Sequence, residues 1–278
     1  MRLTHYINEA KEMLKQWKKY ISTNKELAAG VDVLTKINKA GFRAYFVGGM
    51  VRDIILGLPA KDVDIATNMD MNKLSKMFKV HDIGKSRDFG IVVVNHKGFK
   101  FEIAEFRSDG VYKDGRRPTS VTFNVELETD LSRRDLTVNA MAIDKDGRII
   151  DKFDGKKDIQ NKILRTVGNP YDRFSEDFLR IMRVPRFAAK LGFEIDKETT
   201  KAIQKLSPSI QDLSPERLRE ELIKAASQTG DKFAKYIQIL ADLKLLRFIL
   251  PEVMNLKNFR ENLLHHPETH GYVRKILN

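Results

Sequence analysis

The sequence predicts an α/β head of about 150 residues followed by an all-helical second half. Three observations carry that expectation. Short apolar runs of strand character alternate with helical stretches as far as Ile150, and helical periodicity dominates from Tyr171 onward. At 278 residues, the chain is also about two domains long.

Tyr6, Ala10, Met13, Leu14 and Trp17 recur at helical spacing, so a basic amphipathic helix is predicted over residues 5–20. A second helix runs from Leu27 to Ala40 and is stopped by Gly41. Arg43 to Val47 reads as a buried strand that enters Gly48-Gly49, with Met50 to Gly57 helical after it. Leu58-Pro59 turns the chain into a short strand over Asp62–Ala66. Met71 to Phe78 returns to helix, and Ile91–Val94 and Phe99–Phe106 pair as strands about Lys97-Gly98. Residues 107–120 are charged and punctuated by Gly and Pro, predicting a mobile loop. Turns are expected near Gly192, Pro208 and Pro215.

Fifty basic against 38 acidic residues leave a net charge of +12, which favours a polyanionic partner such as nucleic acid. Cysteine is absent, which excludes disulfides and thiolate metal sites. No apolar run approaches the ~18–20 residues of a membrane helix. The first twenty positions mix Glu, Lys, Asn and Gln among apolar residues, unlike a signal peptide, so the cytoplasm is expected.

Gly48-Gly49 lies between a strand and a helix. Glycines there let the backbone approach an anion, and Arg52 lies within the first turns. The same pair also suits an ordinary tight turn. Asp62-Val63-Asp64 follows one short helix later. On a strand, i and i+2 share a face, so the two carboxylates converge and repel unless a cation lies between them. Hard oxygen ligands of this kind suit Mg²⁺, which completes its shell from water and substrate phosphates. Glu102 is the candidate third carboxylate, with Glu105 as runner-up; a solvated edge position would explain Glu102 equally well.

Arg133-Arg134-Asp135 with Asn139 brings two guanidinium groups, a carboxylate and an amide into one stretch, suited to phosphate and ribose or to a salt-bridged helix start. The loop containing Asp114, Arg116 and Arg117 precedes it. Asp177 and Arg180 are i and i+3, hence neighbours on one helix face. An ionised Asp only accepts hydrogen bonds and Arg only donates them. Cytosine and adenine present an amino group beside an acceptor nitrogen, whereas uracil and guanine present the reverse. One Asp/Arg pair therefore accepts C and A and rejects U and G. Arg183 and Arg186 continue that face as a positive ladder suited to a triphosphate, and Pro185 between them predicts a kink.

These segments resemble the class II CCA-adding tRNA nucleotidyltransferases and bacterial poly(A) polymerases of the DNA polymerase β-like superfamily. The similarity is carried by Tyr45–Asp53, Asp62–Thr67, Arg133–Ala140, Glu176–Arg180, Arg186–Phe193 and Ser214–Arg217, in that order. It implies a head with a small mixed sheet over residues 25–155 and a helical neck over 156–255. Residues 1–24 would be an N-terminal helical extension, and 256–278 resemble the entry to an HD-type phosphohydrolase domain, with His265, His266 and His270 expected to bind no metal. The resemblance assigns Mg²⁺ to Asp62 and Asp64, and triphosphate contacts to Gly48, Gly49, Arg52 and the later arginines. Arg133, Arg134 and Asp135 would handle triphosphate and ribose, and Asp177 and Arg180 would template incoming CTP and ATP.

The implied activity is transfer of CMP and AMP to the tRNA 3′ end with release of pyrophosphate. Residues Ile83–Gly90 lack the Arg-rich signature usual in poly(A) polymerases, and Asp114–Pro118 retains the element that CC-adding enzymes tend to lack. Both favour full CCA addition over A-only or poly(A) synthesis. A non-catalytic RNA-binding protein is the alternative of another class.

Overall fold

A computed structural model describes residues 14–60, 62–81, 86–112, 115 and 118–255. Helix α1 covers residues 14–23 of that range, so the predicted first helix is seen only in its second half. Then follow α2 (Lys25–Lys39), β1 (Ala44–Val47), α3 (Gly49–Ile55), β2 (Ile65–Thr67), α4 (Met71–Met77), β3 (Lys79–His81), β4 (Ile91–His96) and β5 (Phe99–Glu105). Next come β6 (Arg107–Asp109), β7 (Val121–Phe123), α5 (Leu127–Ser132), β8 (Met141–Ile143), β9 (Ile149–Asp151), α6 (Gly155–Asn161) and β10 (Ile163–Leu164). The remainder is α7 (Pro170–Glu176), α8 (Leu179–Leu191), β11 (Glu194–Ile195), α9 (Lys197–Leu206), α10 (Pro215–Ala226), α11 (Gly230–Asp242), α12 (Leu246–Ile249) and α13 (Pro251–Asn255).

The chain divides into two compact units. One comprises residues up to Gly110 with Thr119–Gln160, the other Val111–Pro118 with the residues from Asn161 onward. The first unit is built on a mixed sheet of order β3-β4-β5-β2-β1-β8-β9, antiparallel throughout except between β2 and β5. Its alternating side chains feed two layers. On one face Phe46 and Phe101 press against α2, so closely that a Cβ on Gly30 would stand 2.8 Å from the Phe46 ring. The opposite face sets Val47, Ala66 and Ala142 against Phe106 and the α5 residues Leu127 and Leu131. Helix α2 starts where Asn24 Oδ1 accepts from the Leu27 N–H at 3.0 Å, and ends before Gly41, whose φ of 87° suits only glycine well.

Two expectations are corrected. The strand predicted from Asp62 begins at Ile65, because Asp62 adopts φ 53°, a left-handed conformation that interrupts extension and that Asp tolerates better than most residues. The loop predicted over 107–120 contains a strand, since Arg107–Asp109 pairs antiparallel with Val121–Phe123. Arg107 donates to Asp109 Oδ1 at 3.0 Å and to the Phe89 carbonyl at 2.6 Å.

In the second unit α8 is the central helix, with Ile181, Met182, Val184 and Ala188 buried, and it packs against α10 and α11. It runs unbroken through Pro185 to a left-handed Gly192. Among the described residues no helix is long and apolar enough to cross a membrane.

Helix α1 is seated by one side chain. Trp17 is buried, its ring centroid lies 5.8 Å from that of Phe46, and its indole N–H donates to the Lys145 carbonyl at 3.2 Å. Gly147 (φ 87°) makes room, since a Cβ there would meet the indole at 2.5 Å. Trp17→Ala is expected to cost about 3–5 kcal/mol in chemical denaturation; a loss near zero would show that α1 is not part of the core.

Candidate active site

Strand β1 delivers the chain to a tight turn. Gly48, at φ 77° and ψ −143°, precedes the first residue of α3, a backbone conformation open to glycine and strained for other residues. A Cβ built there would stand 3.4 Å from Arg134 Nη1 and 3.8 Å from Asp64 Oδ2. The missing side chain thus leaves a cradle between one cation and one carboxylate. Asp64 is locked beside it, its carbonyl accepting from the Val47 N–H at 3.1 Å.

Asp64 carries the strongest electrostatic signature of the turn. Burial pushes its carboxyl up to about 6, Glu102 and Asp62 push the same way, and Arg134 opposes them. The parallel register pairs Ile65 with Ile103, so one step back along both strands puts Asp64 alongside Glu102. Glu102 is exposed between buried Phe101 and Ile103. Asp62 approaches from the residues preceding β2 and not from a shared strand face. The charge of Asp62 still raises the Asp64 carboxyl, along a backbone path other than the one expected.

Glu105 has the other strand parity and belongs elsewhere. It is buried, and burial followed by Asp70 pushes its carboxyl up to about 7, while the Met71 N–H at the start of α4 donates to it.

Asp130, 1 % exposed on α5, organises the arginines. Its Oδ1 accepts from Arg133 Nη2 at 2.7 Å and Nε at 3.0 Å, and its Oδ2 from Arg134 Nη2 at 3.1 Å. Arg133 is turned further inward by the Arg107 carbonyl at 3.2 Å, leaving Arg134 as the guanidinium at the Gly48 turn. Arg52 is fully buried beneath Gly49: it bonds Asp53 Oδ1 through Nε at 2.9 Å and Asn139 Oδ1 through Nη1 at 2.6 Å. Asn139 in turn donates to Asp135 Oδ1 at 3.2 Å. These residues form a buried polar brace under the turn.

The second unit separates Asp177 from Arg180. Helix α7 ends at Glu176, Asp177 is extended at φ −146° and ψ 106°, and α8 begins at Leu179. The expectation of an i,i+3 pair on one helix is therefore corrected. The Asp177 carboxylate takes the Leu179 N–H at 3.0 Å and both its oxygens take Arg217 Nη2 at 3.0 Å, while Arg180 bonds Glu176 and, at 3.0 Å, the Arg173 carbonyl. Arg186 donates to the fully buried Glu221 at 2.6 Å, and the Arg183 and Arg186 guanidinium groups lie 5.5 and 4.4 Å from the Phe187 ring centre. The ladder's charge is thus partly compensated within the protein.

Comparison with known proteins follows the same division. The family model described as "Poly A polymerase head domain" matches residues 44–165, and that described as "Probable RNA and SrmB- binding site of polymerase A" matches 192–256. A CCA-adding enzyme of Ligilactobacillus salivarius is 47% identical over 200 residues, 72% of this chain and 49% of that protein. The chain belongs to the CCA-adding enzyme and poly(A) polymerase family. Its fold agrees with the crystal structure of the Bacillus stearothermophilus CCA-adding enzyme in complex with CTP (TM-score 0.70, 38% identity, 80% of this chain and 53% of that one). It also agrees with the Thermotoga maritima CCA-adding enzyme complexed with tRNA_CCA (TM-score 0.69, 25% identity, 90% and 60%). The chain spans about half the length of the curated relatives it matches.

Within this family member the structure sets Gly48, Asp64 and Arg134 at one turn, with Glu102 alongside Asp64 and the charge of Asp62 acting on it, and with Gly49, Arg52, Asp135 and Asn139 forming the brace beneath. Asp114, Arg116, Arg117, His265, His266 and His270 lie outside the described residues. Sequence reasoning missed Asp130, a buried acid whose only sequence signal is helical spacing to Arg133 and Arg134, and Glu221, whose partner Arg186 lies 35 positions away, and it gave Arg217 no role.

Glu105 supplies a pH prediction. A carboxyl raised from its ordinary 4.5 to about 7 makes the folded state bind a proton more tightly than the unfolded chain. Stability should therefore fall by about 1–3 kcal/mol as pH rises from about 4.5 to 7. Denaturation midpoints across that window should flatten in Glu105→Gln; an unchanged slope would remove Glu105 as its source.

Proposed function

We propose that this chain transfers CMP and AMP from CTP and ATP to the 3′ end of tRNA, building CCA and releasing pyrophosphate. The observation that carries the reading is the Gly48 turn set between Asp64 and Arg134, with the charges of Glu102 and Asp62 acting on Asp64. Relatives described as CCA-adding enzymes support the same reading. A tRNA-processing role places the protein in the cytoplasm.

Mg²⁺ is the cofactor that this donor set fits. Among the described residues no three Asp, Glu or His side chains form a ready-made metal cage. Mg²⁺ needs none, since one or two carboxylates plus substrate phosphates suffice. Asp64, desolvated and raised by its acidic neighbours, is a position where added positive charge is favourable. Asp62 and Asp64 would hold the ion, which when bound lowers the barrier to attack by a hydroxyl on the α-phosphate.

The protein's own work is positioning and charge compensation. Gly48, lacking a side chain, admits the phosphates to the backbone, and Arg134 faces them from its Asp130 anchor. Arg52, Asn139 and Asp135 hold the turn rigid from below. Arg133 supports this arrangement from the inside. In the second unit Asp177 accepts an amino donor from cytosine or adenine, and Arg180 is the paired donor once released from Glu176. Arg183 and Arg186 add positive charge along α8.

Extension of three RNAs, a tRNA lacking CCA, a tRNA ending in CC and an unstructured RNA, tests the reading when CTP and ATP are supplied singly and together. Completion to CCA on the first and addition of one A on the second are expected on a sequencing gel. Long A tails would identify a poly(A) polymerase, A addition confined to the CC-ended tRNA an A-adding enzyme, and no extension a non-catalytic RNA-binding protein.

Two substitutions address the assigned roles. Asp62→Ala is expected to abolish transfer, by roughly a thousandfold or more, while calorimetry still detects nucleotide binding; wild-type turnover would remove the metal assignment. Asp177→Ala should blur discrimination of CTP and ATP against UTP and GTP by about ten- to hundredfold, and unaltered discrimination in competition assays would overturn base reading by this residue.

A further inference from the structure

Asp177 lies at the break between α7 and α8, where no helical ladder orients it. Its carboxylate direction is set by two donors. The Leu179 N–H reaches Oδ1 at 3.0 Å, and Arg217 Nη2 bridges Oδ1 and Oδ2 at 3.0 Å each. An ionised carboxylate has about four acceptor directions. Two bonds fall on Oδ1 and one on Oδ2, so the direction left open on Oδ2 depends on where Arg217 holds the group.

Arg217 is suited to this by its surroundings. It lies in the first turn of α10, behind Ser214 and Pro215, and its side chain is 19 % exposed. Its Nη1 is buried without a hydrogen-bond partner among the described residues, so Asp177 is the group its guanidinium serves. One turn along the same helix face, Glu221 fixes Arg186 at 2.6 Å. Helix α10 therefore holds α8 at two points: Arg217 at the break before it and Glu221 near its middle. The Arg180 guanidinium bonds Glu176 and the Arg173 carbonyl.

We propose that Arg217 is a specificity-determining positioning residue, which clamps the Asp177 carboxylate so that its open acceptor direction selects bases whose pairing edge presents an amino group beside an acceptor ring nitrogen. The inference rests on the base-reading role assigned to Asp177. Without the Nη2 bridge, the carboxylate rotates about its side-chain bonds, and bases of either hydrogen-bond order are tolerated.

The test measures single-nucleotide incorporation of CTP against UTP, and of ATP against GTP, by the full chain on its tRNA acceptors. Thermal midpoints of each variant are recorded alongside. Arg217→Gln is expected to lower both discrimination ratios by roughly tenfold. Arg217→Lys, which keeps the charge but not the rigid planar group that carries Nη2, should recover part of the ratio. The double variant Asp177→Ala/Arg217→Gln should discriminate no worse than Asp177→Ala alone, the non-additivity of residues acting as one unit.

If Asp177→Ala blurs selection while Arg217→Gln keeps wild-type ratios, the positioning role is overturned and base reading stands. If Asp177→Ala itself leaves the ratios unaltered, base reading fails instead. Should Arg217→Gln lose its folded state, a folded Arg217→Lys with wild-type ratios would equally overturn the proposal.

Discussion

A buried aspartate at one glycine turn carries the charge of two further carboxylates, and the turn is built to offset that cost. Asp64 is desolvated and lies within the field of Glu102 and Asp62, so its charged form is disfavoured. The protein answers with Arg134, brought to 3.4 Å from where a Gly48 side chain would begin. Arg134 stays there because Asp130, itself buried, divides its two oxygens between neighbouring arginines. A buried acid that satisfies two guanidinium groups exchanges a large desolvation penalty for a fixed geometry. Removing it would leave uncompensated charge under the turn.

The second unit solves a similar problem with helices. Arg180, Arg183 and Arg186 share a face of α8 and would repel if all were unpaired. Glu176 and Glu221 absorb two of the charges, and Phe187 offers its ring to two of the guanidinium groups. Breaking the chain at Asp177 separates the carboxylate from that ladder and hands it to Arg217. A carboxylate at a helix break is oriented by its partners alone, which is why a residue forty positions away bears on it.

Much of this was legible in the sequence because it depends on local rules. The apolar run entering Gly48-Gly49, the stop at Gly41 and the hairpin at Lys97-Gly98 follow from period and φ preference, and each is found in place. The acidic couple was legible as chemistry but not as geometry. A pattern of i and i+2 assumes a strand, and Asp62 is left-handed. The short strand Arg107–Asp109 was hidden because its polar composition resembles a loop, and only its partner Val121–Phe123 makes it a strand.

What the sequence determined by itself was which groups exist and in which local conformations: glycines where φ is positive, carboxylates near a turn, arginines at helical spacing. Local backbone preference and residue chemistry suffice for that. Which partner each charge takes was decided by tertiary structure alone. Asp130 with Arg133 and Arg134 is a local pairing, but Arg52 with Asn139, Asp177 with Arg217 and Arg186 with Glu221 join residues 87, 40 and 35 positions apart. Coulomb attraction has no sequence register: it acts between whichever groups packing brings together, and packing is a property of the folded chain.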